Sequence, residues 1–293
     1  MTLPGYVTDV IRRLEENGHS AYAVGGCVRD MLMGRVPHDY DVCTDALPEQ
    51  TKNAFPDRIT IDTGIKHGTV TVISDGHPVE ITTFRTESGY SDGGHPDSVS
   101  FTASLEGDLS RRDFTVNAMA YSGKTGLIDI SGGRDDLENR IIRCVGDPEK
   151  RFSEDHLRIL RAIRFSAVLG YNIEERTSAA VMKLKDSLVT VSPERIAAEL
   201  DKAVMGINFG KVLTEYPEVF AVFIPELAPC IGYDQNNPHH IHDLLTHTAK
   251  AVDACPDDRI VRLAARFHDL GKPSTVNVIM LDVQLTRTLS KTS

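Results

Sequence analysis

Two aspartates, Asp39 and Asp41, stand two residues apart in "DYDVCT". If that stretch is extended, alternation puts both carboxylates on one face, within reach of a single cation. Magnesium favours one or two carboxylates completed by substrate phosphate oxygens, and the pair supplies such a partial cage. Glu80 in "VEITTF" is the natural third acid if the two strands are neighbours. Upstream, Gly25-Gly26 precedes a short segment carrying Arg29. Glycines let backbone amides approach a phosphate, a helix start favours an anion, and arginine adds a two-pronged contact. Acids spaced two apart are by themselves more often a solvated strand face. With Gly25, Gly26 and Arg29 in the same short unit, metal-assisted chemistry on a nucleoside triphosphate is the better reading.

The elements needed to hold these groups are legible in the pattern. Val7, Val10, Ile11 and Leu14 recur at helical spacing among charges. "AYAV" reads as a strand entering the Gly25-Gly26 turn, followed by a helix over 27–33 that stops at Gly34. Asp75-Gly76 between "HGTVTVIS" and "HPVEITTF" predicts a tight hairpin. Residues 86–100, "TESGYSDGGHPDSVS", read as a long mobile loop. From about residue 150 the pattern becomes helical, with Ser153 and Ser192 expected as N-caps and Pro193 at a first helical position. The final stretch, "PSTVNVIMLDVQLTRTLSKTS", breaks from this and reads as a strand fragment.

With 293 residues, two or three domains are expected, and 41% hydrophobic and 25% charged residues are ordinary globular composition. A net charge of -10 excludes a generally basic nucleic-acid binder, so contact with a polyanion must be a focused patch. Cys27, Cys43, Cys144, Cys230 and Cys255 are scattered, which suggests reduced thiols in a cytoplasmic protein. No secretory leader or membrane-spanning run is expected.

Four stretches in order, "VGGCVRDMLMGRVPHDYDVCTD", "RRDFTVNAMAY", "EDHLRILRAIRF" and "ERIAAEL", resemble the ordered motifs of class II tRNA nucleotidyltransferases and bacterial poly(A) polymerases, over roughly residues 18–270. The resemblance implies an α+β protein. Its head, a polymerase beta-like nucleotidyltransferase mixed sheet, would occupy 1–145, a helical neck binding nucleotide and tRNA 146–225, and a partial HD-like helical domain, cut short, 226–293. Gly25, Gly26 and Arg29 would contact the triphosphate. Asp39 and Asp41, with Glu80, would form the catalytic acids, the first two holding magnesium ions that activate the RNA 3'-hydroxyl and steady the leaving pyrophosphate. Arg111, Arg112, Asp113 and Asn117 would touch sugar and phosphates. Asp155 and Arg158 would read the base edge of CTP or ATP, with Arg161 and Arg164 near the triphosphate. The implied activity is template-independent addition of CMP and AMP to the 3' end of tRNA. A poly(A) polymerase, an HD-type phosphohydrolase and an inactive fragment are the alternatives.

His247 in "THT" and His268-Asp269 in "FHDLGK" resemble the metal-binding groups of an HD domain. No late aspartate follows, so a structural helix pair is the expectation and a metal site the alternative. His239, His240 and His242 read as loop histidines. Gly94 stands where relatives usually carry an arginine, in a loop associated with the switch from C to A addition.

Overall fold

The computed structural model describes residues 1–90, 93–94, 98–235 and 241–275. The chain packs as two units, Met1–Asp155 with Asn172–Thr177, and His156–Tyr171 with Ser178–Ser293.

The first unit is built on eleven strands, β1 (Ala21–Val24), β2 (Asp41–Thr44), β3 (Thr60–Gly64), β4 (Thr69–Ser74), β5 (His77–Thr83), β6 (Arg85–Ser88), β7 (Ser98–Phe101), β8 (Met119–Ser122), β9 (Gly126–Asp129), β10 (Ile141–Ile142) and β11 (Asn172–Ile173). Seven form one mixed sheet in the order β3-β4-β5-β2-β1-β8-β9. Only β2 and β5 run parallel in it. β10 and β11 pair with each other, which ties 172–177 to this unit.

Helices α1 (Gly5–Glu16), α2 (Gly26–Leu32), α3 (Pro48–Ala54), α4 (Leu105–Ser110), α5 (Gly133–Glu138) and α6 (Pro148–Glu154) accompany the sheet. In α1, Val7, Val10, Ile11 and Leu14 are all buried, as their spacing predicts. Asp75 and Gly76 form the turn between β4 and β5 with φ of 48° and 79°, the paired positive values of a two-residue hairpin loop.

Two expectations are corrected. Part of the 86–100 stretch is ordered pairing: β6 and β7 run antiparallel from Arg85↔Phe101 to Ser88↔Ser98. Its residues 91–92 and 95–97 lie outside the described residues. Ser153 is no N-cap. Asp147 caps α6, accepting the Lys150 N–H at 2.9 Å, with Pro148 at the first helical position. That stronger start places Ser153 in the last turn, where its hydroxyl donates back to Glu149 O at 2.8 Å.

The second unit is helical: α7 (Leu157–Leu169), α8 (Glu175–Leu184, whose first residues belong to the first unit), α9 (Pro193–Val204), α10 (Phe209–Glu215), α11 (Pro217–Phe223), α12 (Leu244–Ala254) and α13 (Arg259–Phe267). Its core joins Ile159, Leu160, Ile163, Phe209, Val212, Leu213 and Phe220. Ser192 and Pro193 do open α9, although the serine hydroxyl makes no capping bond. Gly210 lets α10 close on α12, since a Cβ there would stand 2.7 Å from Ala249 O. Against this apolar packing, Arg266 of α13 is 1% exposed among Phe209, Phe220 and Phe267, and neither terminal nitrogen has a hydrogen-bond partner among the described residues. Burial pulls its pKa down to about 10. Residues 236–240, including His239 and His240, and the 276–293 stretch lie outside the described residues.

Candidate active site

β2 begins at Asp41, so Asp39 lies just ahead of the strand and only Asp41 is in the ladder. Tyr40 and Val42 are buried and Asp39 and Asp41 exposed, which is the alternation that puts both acids on one face. In the parallel β2–β5 pair Asp41 is the register partner of Glu80. The two-residue Asp75-Gly76 turn sets the β4–β5 register, which pairs Glu80 with Thr71. The start of β2 thus brings Asp39 and Asp41 to the middle of β5, where Glu80 stands, and none of the three makes a salt bridge among the described residues.

The electrostatics carry the mark of that crowding. Surrounding protein pushes the Asp41 carboxyl up, Asp39 and Glu80 add repulsion, and Arg112 pulls the other way, leaving it at about 6. A divalent cation relieves this kind of charge, and hard oxygen donors are what magnesium takes. The donor set fits such an ion, which Asp39 and Asp41 would hold.

Beside the acids, β1 ends at Val24, the register partner of Asp41, and Gly25 follows. Its φ of 80° and ψ of -130° place it where glycine is required. Its N–H donates to Met119 O at 3.1 Å, and a Cβ on it would stand 3.1 Å from Arg112 Nη1. α2 starts at Gly26 and brings Arg29 round one turn later. Arg29 Nη1 donates to Asn117 Oδ1 at 2.7 Å, and its Nε donates to Asp30 at 2.9 Å. Asn117 Nδ2 donates to Asp113 Oδ1 at 3.3 Å, and the same oxygen accepts the Phe114 N–H at 2.8 Å. Residues 88 positions apart in the chain are thus locked into one hydrogen-bonded series, Arg29–Asn117–Asp113. Arg111 is the C-cap of α4, and Arg112 follows it against Gly25.

One member of this cluster was not singled out from the sequence. Asp108 in α4 is fully buried and accepts from Arg111 Nη2 at 2.7 Å and Arg112 Nη2 at 3.2 Å. Within "LEGDLSRRD" it looks like one more surface acid. The three- and four-residue spacing to the arginines was the available signal.

In the helical unit, Arg158, Arg161 and Arg164 lie on α7 at helical spacing. Glu199 of α9, 6% exposed, faces Arg161 at 3.8 Å and makes a closer ion pair with Arg164, whose guanidinium also lies 3.7 Å from the centre of the Phe165 ring. Glu199 lies in "ERIAAEL", so that stretch supplies the acid that faces Arg161 and Arg164. Asp155 ends α6 in extended backbone, φ -140° and ψ 107°, so 154–165 is not one continuous helix.

Further along the second unit, His247 Nε2 and His268 Nε2 lie 3.6 and 3.1 Å from the same oxygen, Asp269 Oδ2. Their donor atoms all fall within 4.8 Å of one another, close enough for one ion. Lys272 Nζ sits on that same oxygen at 2.6 Å and reaches Gln235 Oε1 at 3.0 Å. The cluster already contains its own cation. His242, the described member of the loop histidines, meets Lys250 Nζ at 2.7 Å.

Residues 21–143 match the family described as the Poly A polymerase head domain, and 170–231 match the probable RNA and SrmB-binding site of polymerase A. The chain is 51% identical over 199 residues to a CCA-adding enzyme of Lactobacillus helveticus, covering 68% of this chain and 49% of that protein. A CCA-adding enzyme of Lactobacillus delbrueckii subsp. bulgaricus is 49% identical over 252 residues, 86% of this chain and 60% of its own. Among solved structures, the Bacillus stearothermophilus CCA-adding enzyme in complex with CTP superposes with a TM-score of 0.72 at 38% identity, over 92% of this chain and 64% of that one. The chain therefore spans about half to two-thirds of the length of these relatives. The match bears out the α+β expectation of a mixed-sheet head followed by helices.

Proposed function

Because the chain belongs to the class II tRNA nucleotidyltransferase and bacterial poly(A) polymerase family, we propose that it adds CMP and AMP from CTP and ATP to the 3' end of tRNA, in the cytoplasm and without a nucleic-acid template. The observation that carries the reading is the unpaired carboxylate face, Asp39, Asp41 and Glu80, set beside the Gly25–Arg29 turn and Arg112.

Asp39 and Asp41 hold the metal in this reading, and a bound divalent cation, magnesium by its preference for oxygen donors, supplies Lewis-acid stabilisation of charge on the reacting phosphate. Glu80 completes the acidic face. The RNA 3'-oxygen attacks the α-phosphorus, the bond to the bridging oxygen breaks, and pyrophosphate leaves with its electron pair. Gly25 and Gly26 keep the turn free of side chains so that backbone can approach the triphosphate. Arg29 is pre-oriented by Asn117, and Arg112 lies beside Gly25 to meet phosphate charge. Arg111, Asp113 and Asn117 brace these contacts. Asp155, and Arg158 of the helical unit, are assigned to the base edge, and Arg161 and Arg164 to phosphates. His247, His268 and Asp269 are assigned a structural role in an HD-like helix pair, with Lys272 as their counter-charge.

The direct experiment supplies labelled CTP and ATP with tRNA lacking its last one, two or three nucleotides and resolves the products. Magnesium-dependent incorporation that stops at a completed CCA end supports the proposal. No incorporation by the folded chain, or long A tails on generic RNA, overturns it.

A further inference from the structure

Asp108 lies outside every role assigned above, yet its side chain is 1% exposed and ionised. Burial alone would raise its carboxyl; Arg112 and Arg111 outweigh this and hold it below the ordinary carboxylate value. A charge is tolerated at such a position only when its partners are well placed. Oδ1 takes Arg111 Nη2 at 2.7 Å, Arg111 Nε at 3.1 Å and the Arg85 N–H at 3.3 Å, while Oδ2 takes Arg112 Nη2 at 3.2 Å. The next residue, Leu109, is buried with Val24, Cys43, Phe84 and Ala120, so the helix carrying Asp108 is anchored in the core beneath β1 and β2.

Arg112 is caught between two constraints. Its Nη2 is drawn to Asp108, its Nη1 lies against Gly25, and its Nε is buried without a hydrogen-bond partner among the described residues. Its charge reaches Asp41, where it opposes the upward push of the other acids. The guanidinium cannot be aimed by Nε, so its direction rests on Asp108 alone among the described carboxylates that it bonds.

We propose that Asp108 is a positioning residue for nucleotide binding. It grips Arg111 and Arg112 together and holds the Arg112 guanidinium over Gly25, facing the side of the Asp39–Asp41 acidic face where the triphosphate lies. This rests on the nucleotidyl-transfer reading of the same site. The consequence is specific: loss of the Asp108 charge weakens nucleotide affinity more than it slows the bound complex.

The test compares the full chain with Asp108→Asn, reading KM and kcat for CTP and ATP, equilibrium binding of CTP without tRNA, and melting temperature. The expected result is a rise in KM and in the CTP dissociation constant of about tenfold, the size of one charge-assisted contact, with kcat changed by less than about threefold. Asp108→Glu, which keeps the charge, should recover part of the affinity. Unchanged KM and CTP binding with a lower melting temperature would mean that Asp108 only stabilises the fold, and the inference fails while the transfer reading stands. If wild type binds CTP but transfers nothing, and Asp108→Asn loses that binding, the transfer reading fails and the positioning role stands. Should Asp108→Asn not fold, Asp108→Glu decides: a displaced charge raises KM if Asp108 positions Arg112 and leaves KM unchanged in the folded fraction if it does not.

Discussion

Two clusters in this chain use the residue types of metal sites, and they balance their charge in opposite ways. In the first unit, Asp39 and Asp41 at the start of β2 stand beside Glu80 of β5, none in a salt bridge among the described residues, and Asp41 is driven up to about 6. In the second, the donor atoms of His247, His268 and Asp269 fall within 4.8 Å of one another, but Lys272 already stands on Asp269. Ligand types at ligand distance are therefore not enough to identify a working cation site. What separates the two is whether the fold has left negative charge for a cation to neutralise.

The contrast is broken or sharpened most directly by removing one ligand from each cluster. Asp41→Ala or Asp39→Ala should lower CTP incorporation by ~10³-fold, the scale of several kcal/mol of lost charge stabilisation, whereas His268→Ala should stay within about twofold of wild type. Comparable losses from both would erase the distinction.

Acidity should separate them next. Asp41 must be ionised to hold a cation, and its carboxyl titrates at about 6. At limiting magnesium, kcat/KM should fall as pH drops through about 6, by about tenfold per pH unit below it if one proton is involved. Asp41→Asn should abolish that limb together with activity. A profile flat down to pH 5 in wild type would remove Asp41 from metal binding.

At the other cluster the change to make is Lys272→Met. With the ammonium gone, His247, His268 and Asp269 should bind zinc or manganese about tenfold tighter, read by titration against a chromophoric chelator. Equal affinity with and without the lysine would mean that it never competed for the site.

The smallest expected effects are on stability, and they compare two charges that make no salt bridge among the described residues. Because the Asp41 carboxyl is raised, the folded chain binds its proton more tightly than the unfolded chain between 3.8 and about 6, so this group weakens the fold as pH climbs through that window. Above it, in the metal-free protein, Asp41→Asn should raise the melting temperature by about 2 °C, allowing for screening at an exposed position. Arg266→Met, which replaces a buried cation with an apolar chain among phenylalanines, should raise it by more, about 4 °C. Calorimetry at pH 7 in chelator tests both, and the reverse order would show that water reaches Arg266.

Legibility from sequence followed distance along the chain. Gly25, Arg29, Asp39 and Asp41 fall within one strand-turn-helix-strand, so spacing alone brings them together. Glu80 could be placed because Asp75-Gly76 names its turn. Asn117, which bonds Arg29 from 88 residues away, could be reached only through resemblance, since no local pattern encodes a long-range hydrogen bond. Asp108, Glu199 and Arg266 were missed or left without a role for the opposite reason: charged residues in helices look solvated until the tertiary structure buries them. The misplaced Ser153 cap has a local cause, because Asp147-Pro148 is a better helix start six residues earlier.

The two-residue turn at Asp75-Gly76 also bears on which length changes this chain could tolerate. Surface loops usually accept insertions cheaply. Here, one extra residue taken up within β5 would slide Glu80 by one step against Asp41 and turn its side chain from the acidic face toward the core. An exposed hairpin tip, the sort of place where tags and linkers are commonly grafted, thus works as a ruler for the spacing of Glu80 and Asp41. Insertion scanning should find it intolerant, although neither of its own residues is one of the three acids.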